Sequence, residues 1–260
     1  MAEAWTISKL IEWTTKHFQS KKIESARLDA ELLLAKVLGC RRLDLYPRFD
    51  QPLKEPESAA FREFVKRRSQ YEPVAYITGV QEFYGRPFKV GAGVLIPRPE
   101  TELLVDEALR WLKESGRTDA EVLDVGCGSG AIAVTMACEV ADAHVAAIDR
   151  SAAACGFTSA NSQEQGVMDR MKIVESDFMG ADNHLLGKKF DLVLSNPPYI
   201  AQNAELMPDV KNHEPAEALF GGAQGFELIE TWLPQLAASL RPGGLLLVEI
   251  GYDQGEKILQ

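Results

Sequence analysis

The sequence predicts an α/β protein: a doubly wound, mostly parallel sheet preceded by a small all-α domain, with a short β-hairpin bridge between them. Three observations carry this. From Thr101 onward, short apolar strands alternate with helical segments, as in a parallel sheet covered on both faces. Before about residue 75, apolar residues recur at helical spacing. And the segment EVLDV runs straight into a glycine-rich loop and then a helix, the usual opening of a ligand-binding βα unit. The implied divisions are 1–72 helical, 73–97 bridge and 98–260 sheet domain.

Each element has its own signal. Thr6 or Ser8 is placed to cap a helix carrying Ile7, Leu10, Ile11 and Phe18. Ser25 precedes ARLDAELLLAKVL, with Leu28, Leu32 and Ala35 as its expected packing face and Gly39 as its stop. Pro56 opens a third helix with Ala60, Phe61, Phe64 and Val65 as an apolar stripe. VAYITG, EFYGR and PFKVG read as short strands or a hairpin. Then follow helix ETELLVDEALRWLKES, strand EVLDVG, helix GAIAVTMACE, strand HVAAID, helix AAACGFTSANSQEQ, and strands MKIVES and FDLVLSN. A long irregular stretch comes next, and then helix ELIETWLPQLAASL and strand GLLLVEIG.

Composition narrows the function classes. The 260 residues are 46% hydrophobic and 25% charged, ordinary for a globular chain. No apolar run approaches the ~18 residues of a membrane span, and the N-terminus lacks a signal-peptide layout. Cys40, Cys127, Cys138 and Cys155 show no CxxC spacing, so no metal site and no disulfide framework is expected. These features predict a cytoplasmic protein. With 28 Lys and Arg against 38 Asp and Glu, the net charge is −10, which disfavours stable nucleic-acid binding. Lys66, Arg67 and Arg68 form the one cluster that could make a basic patch; a solvated helix face is the plainer reading.

Two motifs carry chemistry. Gly126-Cys127-Gly128-Ser129-Gly130 follows a strand and opens a helix; its glycines permit a tight turn and close approach of a ligand to the backbone. Asp149 ends the next strand, where a carboxylate can accept from ribose hydroxyls. Gly126, Gly128 and Ala131 also fit the dinucleotide fingerprint, so the loop says nucleoside cofactor without saying which. At the end of FDLVLS stands Asn196-Pro197-Pro198-Tyr199. Two prolines stop the strand and leave carbonyls without competing donors. The Asn196 side-chain oxygen and the Pro197 carbonyl can accept both N–H bonds of a planar amide or amino group. That contact raises electron density on a delocalised, poorly nucleophilic nitrogen and orients it, with Tyr199 offering a stacking face.

DVGCGSG, Asp149 and NPPY together resemble the class I S-adenosylmethionine-dependent methyltransferases, a Rossmann-like fold, that modify planar nitrogens. RLDAELLLAKVL, EPVAYITGVQEFYG, LIPRPETELLV, HEPAEALFGGAQG and VEIGYDQG extend the likeness along almost the whole chain to the release factor glutamine methyltransferases of the HemK/PrmC family. That resemblance implies methylation of the glutamine of the Gly-Gly-Gln motif of class-1 peptide chain release factors, giving N5-methylglutamine during maturation of the translation-termination machinery. It implies that Gly126, Cys127, Gly128, Ser129 and Gly130 wrap the methionine part of the cofactor and that Asp149 holds the ribose. Phe178 would pack the adenine, and Asn196 would also border the cofactor. Asn196 and Pro197 would hold the substrate amide, Pro198 would shape the turn and Tyr199 would close it. A catalytic base is not required: His17, His144 and His184 lack a partner pattern, and His213 in HEP suits loop ordering. The helical domain and bridge are expected to grip the release factor, and the enzyme is expected to be a monomer. In this family the sheet continues after VEIG with a helix and an antiparallel hairpin. The sequence stops at Gln260, inside the start of that helix, so the expectation is either a truncated sequence or a protein without the hairpin and with an open sheet edge.

Other readings leave residues unexplained. A glutamine methyltransferase acting on a ribosomal protein shares the chemistry but not the IPRPETE segment's preference. An adenine-N6 nucleic-acid methyltransferase shares NPPY but lacks a basic target domain. A nicotinamide dehydrogenase fits the loop and leaves NPPY idle, and a noncatalytic scaffold has no use for Asn196.

Overall fold

In the computed structural model, which describes residues 5–258, Thr6 caps the first helix, α1 (Ile7–Ser20), its hydroxyl accepting from Lys9 N at 3.4 Å. The helix buries Ile7, Ile11, Thr14 and Phe18, one stripe at helical spacing. In α2 (Ala26–Leu38) the expected packing face is corrected: Leu28 and Leu32 are exposed, at 45% and 36%, while Ala26, Ala30, Leu33 and Leu34 are buried. The helix is apolar on both sides, so periodicity alone could not choose the buried one. Gly39 ends it in the left-handed conformation, φ 60°. A 3-10 segment, Arg42–Arg48, leads to α3 (Glu55–Arg68), which buries Phe61 and Val65 but leaves Ala60 exposed.

The basic cluster at the end of α3 is a set of internal pairs more than a surface patch. Arg68 is 5% exposed and donates through Nε to Asp29 Oδ2 at 2.7 Å, itself 4% exposed. Arg67 makes a bidentate pair with Glu72, leaving Lys66 exposed. A buried pair of this kind fixes how α2 and α3 meet, since removing either partner strands a charge. VAYIT, expected as a strand, is a helical turn, α4 (Val74–Thr78), bracketed by Pro73 and by Gly79 at φ 75°. Its β-branched and aromatic residues suggested a strand, but Ile77 packs into the core built by α1–α3. This helical unit runs to Gly79 and also takes in Met207–His213.

The second unit comprises residues 80–206 and 214–260. β1 (Val80–Phe83) and β2 (Arg86–Lys89) form an antiparallel hairpin. Tyr84 and Gly85 both have positive φ at its turn, 52° and 68°, as a two-residue hairpin of matching twist requires. After α5 (Glu102–Ser115) come β3 (Glu121–Val125), α6 (Ala131–Glu139), β4 (His144–Asp149), α7 (Ala152–Glu164), β5 (Met171–Glu175) and β6 (Phe190–Ser195). β7 (Ile200–Ala201) precedes α8 (Pro208–His213), the short helix counted with the helical unit. Then follow β8 (Phe220–Gly222), α9 (Glu227–Ala238), β9 (Leu240–Val248) and α10 (Gly255–Ile258). The main sheet is wholly parallel, in the order β5-β4-β3-β6-β9. Helices cover both faces, giving one core around α5, α6 and β3 and another around Phe178, Phe190 and Leu236. The doubly wound parallel fold expected from the strand pattern is the one observed. β6 carries no exposed residue, as its central place demands.

β9 pairs with β6 on one side, and among the described residues no strand lies on its other side. No helix among them is long and apolar enough to cross a membrane.

Candidate active site

Three adjacent strands end level. Val125 of β3 is in register with Ile148 of β4 and with Ser195 of β6, and Ser195 Oγ donates to Val125 O at 2.8 Å. The residues that follow, Gly126, Asp149 and Asn196, therefore emerge side by side at the carboxyl edge of the sheet, where ligands bind in this class of fold. They line one open cavity at that edge.

The glycine loop forms one wall. Gly126, Gly128 and Gly130 all have positive φ, at 75°, 54° and 80°, a conformation other residues adopt only with strain. Gly126 and Gly128 line the cavity; Cys127 and Ser129 are buried behind it, and Gly130 caps α6. Thr158 ties the loop down, its hydroxyl 3.4 Å from Cys127 Sγ and donating to Gly128 O at 3.1 Å. Asp149 is spoken for on one side only. Oδ2 accepts from Gly128 N at 3.0 Å and Oδ1 from Ser151 N at 2.9 Å. A carboxylate has about four acceptor positions, so each oxygen keeps one for a ligand. Burial pushes its pKa up, while the two backbone donors pull it down.

Phe178 lines the cavity beside Trp232, ring centroids 5.8 Å apart and tilted by 67°. Trp232 was missed by sequence reading. Its only signal was the i, i+4 pair Leu228 and Trp232 on α9, both of which reach the cavity. Gly93–Leu95, Arg150, Ser151, Glu217 and Ala218 complete the rim; nothing in their residue types singled them out. Asp124 was also missed. It is fully buried in β3, its Oδ2 accepting from Ala133 N at 3.1 Å and its Oδ1 without a partner among the described residues. Burial pushes its pKa up to about 7. An acid in the otherwise apolar run VLDV was the available clue.

NPPY is built as a clamp. Asn196 and Pro198 line the cavity, whereas Pro197 and Tyr199 are not on its wall. Tyr199 donates to Glu249 Oε1 at 3.0 Å, and burial with that carboxylate lifts its phenol to about 12. Gln254 Nε2 donates to Tyr199 O at 2.8 Å. The turn is gripped from the far side by FGGAQG: Ile200 N donates to Leu219 O, and β7 pairs with β8. A β-carbon on Gly221 would overlap the carbonyl oxygens of both Pro198 and Gly225. Gly221→Ala is therefore expected to displace the NPPY turn. It should cost about 1–3 kcal/mol of stability, as overpacking does, and lower turnover more than cofactor affinity, checked by thermal melts beside steady-state kinetics. His213 Nε2 lies 3.2 Å from Gln70 O within the helical unit. Glu214 beside it accepts from Ile96 N at 3.0 Å and from the Arg98 guanidinium, joining HEP to IPRPE.

The motif set thus occurs in one constellation, and comparison with known proteins gives its family. Residues 9–79 match the PrmC N-terminal domain and residues 101–213 the methyltransferase small domain. A release factor glutamine methyltransferase of Geobacter sulfurreducens is 41% identical over 99% of this chain and 88% of its own length. One from Rhodopirellula baltica is 42% identical over 95% and 84%. This chain belongs to the release factor glutamine methyltransferases. Among solved structures, the ribosomal protein L11 methylase of Lactobacillus delbrueckii aligns with a TM-score of 0.46 and 21% identity, covering 69% of this chain and 76% of that one. That likeness is too loose to bear on function. The family assignment removes the dinucleotide reading of the glycine loop, and NPPY, idle in a dehydrogenase, is accounted for.

Proposed function

We propose that this chain transfers a methyl group from S-adenosylmethionine to the side-chain nitrogen of the glutamine in the Gly-Gly-Gln motif of class-1 release factors, leaving S-adenosylhomocysteine. The observation that carries this reading is Asn196 standing at the same sheet edge as the glycine loop and Asp149. The cavity suits the cofactor on three counts: a backbone loop of positive φ for close approach, a carboxylate with acceptor capacity to spare, and an aromatic pair for a purine. Gly126–Gly130, with Cys127 and Ser129 supporting the loop from behind, holds the methionine part. Asp149 accepts from the ribose hydroxyls, and Phe178 with Trp232 flanks the adenine.

The cofactor supplies an electrophilic sulfonium methyl. The protein supplies position and polarisation. Asn196 Oδ1 and the Pro197 carbonyl would accept the two N–H bonds of the glutamine amide, drawing electron density onto nitrogen and orienting it for transfer. Pro198 sets the turn, and Tyr199, anchored by Glu249, closes it. The N-methylated amide cation is strongly acidic and loses its proton to water, so the site needs no histidine. The enzyme works as a cytoplasmic monomer, and its acidic charge keeps nucleic acid from competing for the site.

Asp149→Ala is expected to weaken cofactor binding about 10–100-fold, the loss of charge-assisted hydrogen bonds, read by calorimetric titration with S-adenosylhomocysteine. The substrate assignment is tested by offering labelled cofactor with a class-1 release factor, ribosomal proteins or DNA in parallel. Label in the release factor alone is the expected result; label in either other acceptor instead contradicts it.

A further inference from the structure

A carboxamide has a donating end and an accepting end of nearly equal size, and half a turn of the terminal torsion exchanges them. Asn196 can accept from an amide nitrogen only one way round, so its side chain must be held with Oδ1 free on the cavity side. Asn196 Nδ2 donates to Thr101 Oγ1 at 2.9 Å, and no hydrogen bond among the described residues engages Oδ1. Thr101 is 4% exposed, at the end of the 3-10 turn Pro99–Thr101 and the start of α5. It is absent from the cavity wall. Its own place is secured by its backbone N–H, which donates to Arg98 O at 3.1 Å. Glu214, 6% exposed, holds Ile96 N and Arg98 of the same segment.

We infer that Thr101 is a positioning residue for methyl transfer: its hydroxyl holds the Nδ2 end of Asn196 and so keeps the side chain fixed with Oδ1 free for the acceptor nitrogen. The inference rests on the reading of Asn196 as the residue that holds the acceptor amide. Without the hydroxyl, Nδ2 has no partner inside the protein. The carboxamide then loses its anchor and turns freely, and conformers that present N–H to the N–H of the substrate become populated. A misaligned group at the reacting centre costs rate and leaves more distant binding contacts intact. Glu214 acts one step further out, by fixing the segment that carries Thr101.

The test uses the full chain with Thr101→Val, which keeps the shape and loses the hydroxyl, Thr101→Ala, which cannot clash, and Thr101→Ser, which restores the hydroxyl. Methyl transfer to a class-1 release factor at saturating cofactor is expected to fall about 10–100-fold in kcat for Val and Ala. KM for the release factor and Kd for S-adenosylhomocysteine should move by less than about 3-fold, and Ser should recover most of the rate. In parallel, the Asn196 side-chain amide resonance, assigned by its loss in Asn196→Ala, should shift and lose exchange protection in Val and Ala but not in Ser. Wild-type kcat in Val and Ala, a Ser variant as slow as Val, or an unchanged Asn196 amide resonance in Val would each overturn the inference. If the wild-type protein transfers no methyl to the release factor, the substrate assignment fails separately, and the amide resonance still decides whether Thr101 orients Asn196.

Discussion

Asn196→Ala is expected to lower methyl transfer about 100–1,000-fold, the loss that follows removal of one preorganised polar group at a reacting centre, while affinity for S-adenosylhomocysteine changes little. The separation follows from the geometry. Asn196 borders the cavity beyond β6, but the loop of β3, the Asp149 carboxylate of β4 and the Phe178–Trp232 pair are each held by contacts that do not pass through it. The variant should keep its fold, because Ser195 remains tied to Val125 and the turn remains gripped by Gly221 and Gly225. Single-turnover methyl transfer and calorimetry on the same preparation check both halves. Equal losses in turnover and cofactor affinity would show Asn196 serving the cofactor alone.

The second large effect is on stability and depends on pH. Asp124 is fully buried, has one unpartnered oxygen, and carries a pKa raised from 3.8 to about 7 by burial. Below the unfolded value both states are protonated and the group contributes nothing. Between about 4 and 7 the unfolded chain releases the proton and the folded one keeps it, so stability falls as pH rises. Above about 7 the full penalty stands, about 4 kcal/mol at 1.36 kcal/mol for each pH unit. Asp124→Asn cannot ionise and can still accept from Ala133 N. Urea unfolding of cofactor-free protein between pH 5 and pH 8 should show the variant gaining on wild type by about 3 kcal/mol across that range. Parallel profiles would mean that Asp124 is ionised in the folded protein throughout.

What could be read in the sequence was what the backbone enforces. The glycine loop, Asp149 and Asn196 sit at strand ends, and strand ends are set by alternation and by residues that stop a strand. Their meeting at one edge then follows from parallel register. Side chains that matter through tertiary contact left no such mark. Trp232 looks like any apolar residue of an amphipathic helix, and Thr101 like an ordinary helix start. Arg68 and Asp29 lie 39 residues apart, and only folding shows that the apparent basic cluster is partly an internal pair. Leu28 and Leu32 lie on the exposed side because α2 also carries Ala30, Leu33 and Leu34 on another side, and periodicity does not choose between them. VAYIT was read as a strand on composition, although Pro73 and Gly79 bracket a single helical turn. Tyr199 is expected as a stacking face, and nothing in the sequence signals the hydrogen bond its phenol donates to Glu249. That carboxylate follows directly after β9, far along the chain.

The most direct test of the account is to map the methyl group. The protein would be incubated with S-adenosylmethionine and a recombinant class-1 release factor, and the release factor digested and sequenced by tandem mass spectrometry. Asn196→Ala would be run alongside. The expected result is one methyl on the glutamine of Gly-Gly-Gln, absent in the variant. An unmodified glutamine, with cofactor binding confirmed on the same folded protein, would contradict it.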